Sequence, residues 1–461
     1  MKIIIAGAGK VGLALVRQLT QEHRVTVVDS DQALVDNIIN VYDVMAVCGN
    51  AASMDVLQEA EAEKADLLIA TASSDEINIF TCLVAKKLGV PHTIARIRTP
   101  EYEKQLRMMR GELGLSMSIN PEKAAAREIA RLLRFPAAMK IESFSKGRLE
   151  LVEYRIPEGS LLDGMSLMDL YRSSRIRVLV CAVARKDQTS IPGGAFVLQA
   201  GDKIYLTSPP DQLVKFFQYL GEFRRKASNV MIVGAGKMCY YLAAELLGMG
   251  MRVKILDQNE QRCLRMADLL PKALVIVGDG TDSELLREEG ILEADALVAI
   301  TGVDEANILM SMSAARQSGG SCKVIAKINR RSLVDLVSNE DSIDSIFSAQ
   351  GVTADLIAKY VRAMEGAFGM EIKTLHHLVD GSVEAVEFHV PPGAPLAGRQ
   401  LRDLKLKRGV LLAGIVRPNG KIVIPSGGDS IQAGDDVIAV TSGLRLREMG
   451  DLMENPAGGT R

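Results

Sequence analysis

The stretch Lys2-Ile3-Ile4-Ile5-Ala6-Gly7-Ala8-Gly9-Lys10-Val11-Gly12 runs an apolar strand directly into glycines spaced G-x-G-x-x-G, and a helical pattern follows at once. In a βαβ unit each glycine has its own task. Gly7 permits the tight turn, Gly9 lets the backbone approach a pyrophosphate, and Gly12 allows helix and strand to pack closely. The helix start formed by Lys10 and Val11 faces the phosphates with free N–H groups. Asp29 closes the next strand 20 residues beyond Gly9, where a carboxylate accepts hydrogen bonds from ribose hydroxyls. Asp29-Ser30-Asp31 offers no arginine for a ribose 2′-phosphate, so the pattern favours NAD(H) or an adenine nucleotide over NADP(H).

The same half is written twice. Val230-Met231-Ile232-Val233-Gly234-Ala235-Gly236-Lys237-Met238-Cys239 repeats strand, turn and helix start, and Asp257 answers Asp29. Gly49-Asn50 recurs as Gly278-Asp279, Ala65-Asp66 as Ala294-Asp295, and Asp75-Glu76-x-Asn78 as Asp304-Glu305-x-Asn307. The second copy has Cys239 where the first has its third glycine. Gly234 and Gly236 suffice for phosphate approach, but Cys239 needs room at the helix contact, so nucleotide binding and a purely structural role both stay open for this half.

Alternation of β-branched runs with helical patterns predicts an α/β architecture: two Rossmann-like, doubly wound parallel-sheet domains, each followed by a small α+β module. We place the boundaries at 1–137 and 138–222 for the first pair, 229–365 and 368–452 for the second, with a flexible tail at 453–461. The first boundary rests on Phe135-Pro136, which ends the helix begun at Pro121, and Glu222 to Ser228 reads as a linker. The small modules repeat as well, since Gln199-Ala200-Gly201-Asp202 returns as Gln432-Ala433-Gly434-Asp435. Their glycines and prolines read as turns.

Further binding candidates lie at the carboxyl edges of the predicted sheets, where open α/β sheets take ligands. After the third strands these are Asn50 and Ala51, then Asp279 and Gly280. After the fourth strands they are Thr71, Ser73 and Ser74, then Thr301. Each hydroxyl serves either a ligand or the cap of the next helix. Arg98, after the fifth strand, serves either a phosphate or an ion pair, and Lys10 either a phosphate or solvent.

Composition narrows the function. A net charge of -2 over 461 residues argues against nucleic acid or an anionic membrane surface as partner. No apolar run approaches the roughly 18 residues of a membrane helix, and the start of the sequence does not read as a leader, so a cytoplasmic protein is expected. The six cysteines form no CxxC pair and His376-His377 is the one close histidine pair, so no metal site is expected. No general acid or base stands out beside the glycine turns, which leaves nucleotide binding without visible catalysis; an NAD-dependent oxidoreductase is the alternative.

The segments KIIIAGAGKVG, VVDSD, IATASSDEIN, IARIRTPEY and INPEKAAAREIA, with LLDGMSL, IPGGAFVLQAGDKIYL and IPSGGDSIQAGDDVIAV in the small modules, resemble the regulator-of-potassium-conductance family in its Trk potassium-uptake branch. The resemblance spans nearly the entire chain. It implies TrkA-C type small modules and a non-enzymatic cytoplasmic subunit, peripheral to the inner membrane face. It further implies a homo-oligomer, expected here as a tetrameric ring, under a Trk-type membrane potassium transporter subunit. NAD(H), and ATP or ADP, would gate the flux. Carried over by position, nucleotide contacts fall on Gly7, Gly9, Gly12, Asp29, Ser73 and Arg98, and on Gly234, Gly236, Asp257, Asp279 and Thr301.

Overall fold

The structure is a computed structural model that describes residues 1–99, 102, 105, 108, 113–134, 138–186, 188–221, 227–337, 343–367, 372–378, 382–394, 396–444, 446 and 448–454. The break expected at Phe135-Pro136, most of the expected linker and most of the expected tail lie outside these residues.

Strands β1 (Lys2–Ala6), β2 (Arg24–Asp29), β3 (Met45–Cys48), β4 (Leu67–Ala70), β5 (His92–Arg96) and β6 (Met117–Ile119) form one parallel sheet in the order β3-β2-β1-β4-β5-β6. Parallel strands covered on both faces need continuous apolar sequence, and β1 and β4 supply it: Ile3, Ile4, Ile5, Leu67, Leu68 and Ile69 are all buried. Each such side chain contributes roughly 1.5–3 kcal/mol. The strand order reverses between β1 and β4, and this switch point opens a crevice at the carboxyl ends of the strands.

A five-stranded antiparallel sheet follows, built from β7 (Lys140–Phe144), β8 (Leu149–Arg155), β9 (Leu179–Arg185), β10 (Gln188–Ser190) and β11 (Lys203–Ser208), with helices Leu167–Ser174 and Pro210–Tyr219. The parallel sheet then recurs as β12 (Asn229–Val233), β13 (Arg252–Asp257), β14 (Leu274–Val277), β15 (Ala296–Ala299), β16 (Lys323–Lys327) and β17 (Ser345–Phe347), in the order β14-β13-β12-β15-β16-β17. A second antiparallel sheet of β18 (Ile372–Leu378), β19 (Val383–His389), β20 (Val410–Val416), β21 (Ile422–Val423) and β22 (Asp436–Ser442) completes the chain.

Compact units pair like with like. Met1–Ala130 joins Ser228–Ala358, and Arg131–Ala227 joins Lys359–Arg461. In the first unit the two halves exchange contacts between helices and the residue before one of them. Asn120 Nδ2 donates to Tyr241 Oη at 3.1 Å, Arg127 reaches Glu245 at 3.9 Å, and Gln18 Nε2 donates to Asp355 Oδ1 at 3.1 Å. In the second unit the small modules share one core, with Phe144, Leu149 and Leu151 from the first beside Leu378, Val383 and Ile438 from the second.

The repeated QAGD motif is architectural. Gly201 and Gly434 take φ of +86° and +87°, and the buried Asp202 and Asp435 pair with Arg185 and Arg417 while accepting from the backbone N–H of Gln199 and Gln432.

Candidate functional site

The glycine turns repeat in backbone conformation. Gly7 and Gly234 stand at φ +106° and +111°, with any Cβ at Gly7 only 2.6 Å from the Ala72 backbone nitrogen. Gly9 differs in kind: its φ of -66° suits any residue, and a Cβ there would meet nothing within 4 Å. Gly236 is equally open. Nothing among the described residues requires glycine at these two positions, and the space a side chain would fill lies against the first turns of helices Lys10–Leu19 and Lys237–Gly248. Neither helix has a side-chain cap or an acid in its first turn, so their N-terminal N–H groups are disposed to receive an anion. The residues present therefore fit a nucleotide pyrophosphate.

Gly12 packs differently from expectation. A Cβ on it would lie 1.9 Å from the Gly7 carbonyl oxygen, so it fits the helix against the turn itself, where Thr71 Oγ1 also donates to Gly7 O at 2.8 Å. In the second half Ile300 follows β15 where Thr71 follows β4, and Cys239 is fully buried, its thiol pushed well up by burial and then by Asp257.

The acids are held identically. Asp29 Oδ2 accepts from Ala8 N at 2.5 Å and Oδ1 from Asp31 N at 2.9 Å; Asp257 Oδ2 accepts from Ala235 N at 2.7 Å and Oδ1 from Asn259 N at 2.8 Å. Ala8 and Ala235 thus contribute their N–H groups to the acids. A carboxylate has about four acceptor sites, so each retains capacity for ribose hydroxyls.

Two clefts result. The first, of 420 Å³, is lined by Gly7, Gly9, Lys10, Val11, Asp29, Asn50, Ala51, Thr71, Ser73 and Arg98 among others. The second, of 960 Å³, has Gly234, Ala235, Gly236, Lys237, Asp257, Asp279, Gly280 and Thr301 in its wall. Gly280 is needed there, because a Cβ would meet Val233 at 2.3 Å. Met238 is buried and does not line the cleft.

The hydroxyls divide between the two readings. Ser73 lines the first cleft, whereas Ser74 caps helix Asp75–Lys87, accepting from Ile77 N. Thr301 Oγ1 donates to Asn307 Oδ1 at 2.6 Å. It stands one position later than Thr71, in the place of Ala72.

Arg98 is the main surprise, for it lines both clefts. Its guanidinium is gripped by Glu122, with Nε donating to Oε1 at 2.7 Å, and its backbone N–H donates to the buried Asp75. Asp304 repeats that grip on Asn329 N and Arg330 N, both at 2.9 Å. Arg96 and Lys327, equivalent ends of β5 and β16, are half-buried, and burial pulls both their pKa values down; the charge of Arg98 adds to this for Arg96, and that of Lys10 for Lys327. Cations of both halves thus converge. Lys327, Arg262 and Arg265 were not singled out in the sequence; the signal was the Arg96/Lys327 alignment and the three-residue spacing of the arginines behind Asp257.

TrkA-N domain models match residues 3–121 and 230–349, and TrkA-C domain models match 151–221 and 385–453. A Trk system potassium uptake protein TrkA homolog of Archaeoglobus fulgidus is 33% identical over 439 residues, covering 95% of this chain and 96% of that protein. The chain belongs to the TrkA family.

A second TrkA relative, from Vibrio alginolyticus, is 33% identical over 422 residues, covering 90% of this chain and 91% of its own length. Among solved structures, a GsuK channel bound to NAD superposes with a TM-score of 0.62 at 20% identity, covering 96% of this chain and 77% of that one. A GsuK structure bound to ADP reaches 0.50 at 16% identity, over 78% and 69%. These structural likenesses establish the fold. The TrkA-N matches contain both glycine turns and Arg98. Among the described residues no helix is long and apolar enough to cross a membrane, and no group of three His, Cys, Asp or Glu side chains could hold a metal.

Proposed function

We propose that this TrkA-family chain is a nucleotide-sensing regulatory subunit, not an enzyme, that gates potassium flux through a Trk-type membrane partner. It would act in the cytoplasm as a homotetrameric ring. The observation that carries the reading is the pair of glycine clefts sharing one arginine: two ligand sites in one compact unit are built to report on each other. NAD(H) suits the first cleft, where Asp29 receives the ribose and the open Gly9 the pyrophosphate; ATP or ADP offers the same adenosine and phosphates to either cleft. A ligand shifts such a ring only by binding its two states unequally. GsuK structures with NAD and with ADP support both ligand classes on this fold.

The test is potassium flux into liposomes that carry a Trk-type membrane subunit, with this protein outside and NADH, ATP or ADP added in turn. We expect flux to need the protein and to differ between nucleotides. Flux indifferent to the protein in every nucleotide state overturns the reading, and a strict monomer at micromolar concentration in light scattering removes the ring.

A further inference from the structure

The two ribose acids are held by the same backbone bonds, so any difference in what the clefts accept comes from their neighbours. Behind Asp29 lies helix Gln32–Val41. Asp31 caps it, Leu34 faces the cleft, Asp36 follows, and residues 30–41 contain no lysine or arginine. A phosphate on the adenosine 2′-oxygen would add nearly two negative charges to a wall that already holds Asp29, with Asp31 capping the helix behind it.

The equivalent helix Glu260–Leu269 is built otherwise. Its cap is the neutral Asn259, Arg262 takes the place of Leu34, and Arg265 takes the place of Asn37. Both arginines line the 960 Å³ cleft, one helical turn apart on one face, with Met266 and Leu269 continuing that face. Arg262 Nη1 stands 3.9 Å from Asp257 Oδ2, so it already offsets the acid, while no carboxylate among the described residues lies within ion-pair distance of Arg265. Glu260, the acid of this helix's first turn, and Asp279, which lines the cleft where the first has Asn50, stand on the other side of the balance.

Resting on the reading that both clefts take adenine nucleotides, we infer that the second cleft admits a dinucleotide phosphorylated at the 2′-position of its adenosine ribose, which the first cleft rejects. Arg262 and Arg265 grip the 2′-phosphate, for which the planar guanidinium fork suits the oxygens better than a lysine. Asp257 keeps the 3′-hydroxyl. The two halves then answer to differently phosphorylated dinucleotides.

Native mass spectrometry and calorimetry of the full-length chain with NADPH and NADH test this. In Gly9→Val protein, where only the second cleft is open, NADPH should bind within about tenfold of NADH. In Gly236→Val protein, where only the first is open, NADPH should bind about 100-fold more weakly than NADH. The double change Arg262→Ala with Arg265→Ala, made on the Gly9→Val background, should weaken NADPH at least tenfold and move NADH less than threefold. NADH binding at the second cleft without NADPH overturns the inference and leaves the nucleotide reading intact, as does equal loss of both ligands in the double variant. Failure of every nucleotide at both clefts overturns the two together.

Discussion

At the scale of single residues, glycines of one motif have opposite physical reasons. Gly9 is free of the chain, so on the proposed nucleotide reading Gly9→Val should abolish nucleotide binding in the first cleft while the thermal unfolding midpoint moves by less than a few degrees. Gly12 is committed to the fold: its Cβ would collide with rigid backbone at Gly7, and Gly12→Ala should cost about 1–3 kcal/mol of stability, read by denaturant unfolding. An unfolding midpoint lowered by Gly9→Val as much as by Gly12→Ala would refute this division.

Glu142 poses a different residue-scale question. Burial opposes its charge, but His376 at 2.5 Å, with Lys140 and Lys359 at 3.1 Å, outweighs burial and holds its carboxyl well below the usual range. A depressed folded pKa contributes stability that is full above the unfolded value of roughly 4.3 and is lost as pH falls through the folded one. Glu142→Gln should cost about 3 kcal/mol near pH 7, and its deficit against the parent should shrink steadily below pH 4 in urea unfolding. A pH-independent deficit would show that packing, not charge, holds this spot.

At the scale of elements, the parallel sheets were almost wholly legible. Fully buried strands such as Ile3-Ile4-Ile5 and Leu67-Leu68-Ile69 announce themselves as apolar runs between glycine and helix signals, and the repeat doubled every signal. Lys140–Phe144 was not, because Phe144 is buried in a core shared with a module distant in sequence, and neither was Gln188–Ser190, a three-residue strand that is mostly exposed. The candidate site was legible where backbone geometry dictates residue type, as at Gly7 and Asp29. It was illegible where a side chain serves two halves, since no local pattern places Arg98 at the second cleft.

The loops behind β5 and β16 owe their position to one buried acid each. Asp75 accepts from Arg98 N and Thr99 N, and Asp304 from Asn329 N and Arg330 N. Asp75→Ala leaves two amides without their acceptor and should cost about 1–3 kcal/mol. Because the same loop carries Arg98, NADH affinity should fall at both clefts. Affinity unchanged at equal occupancy of folded protein would detach this loop from ligand binding.

At the scale of the whole molecule, duplication yields two unequal clefts in one compact unit, and on the proposed reading what matters is whether each senses the other. Arg98 is the physical candidate, since it walls both clefts and is anchored by Glu122 from the helix that also carries Arg127, in contact with Glu245, and follows Asn120, in contact with Tyr241. On the proposed reading, phosphate in one cleft would draw the guanidinium toward itself and alter the charge presented to the other. Coupling between sites is reciprocal and typically worth 1–3 kcal/mol, or roughly 5- to 150-fold in affinity. Titrating the second cleft by calorimetry, with the first cleft filled and then blocked by Gly9→Val, should show a shift of at least fivefold. Arg98→Gln keeps the length and polarity of the side chain but removes its charge, and should reduce the shift to less than twofold. A shift that survives Arg98→Gln would place the coupling in the packed helices between the halves; no shift in the parent protein would make the clefts independent sensors and move integration to the assembled ring.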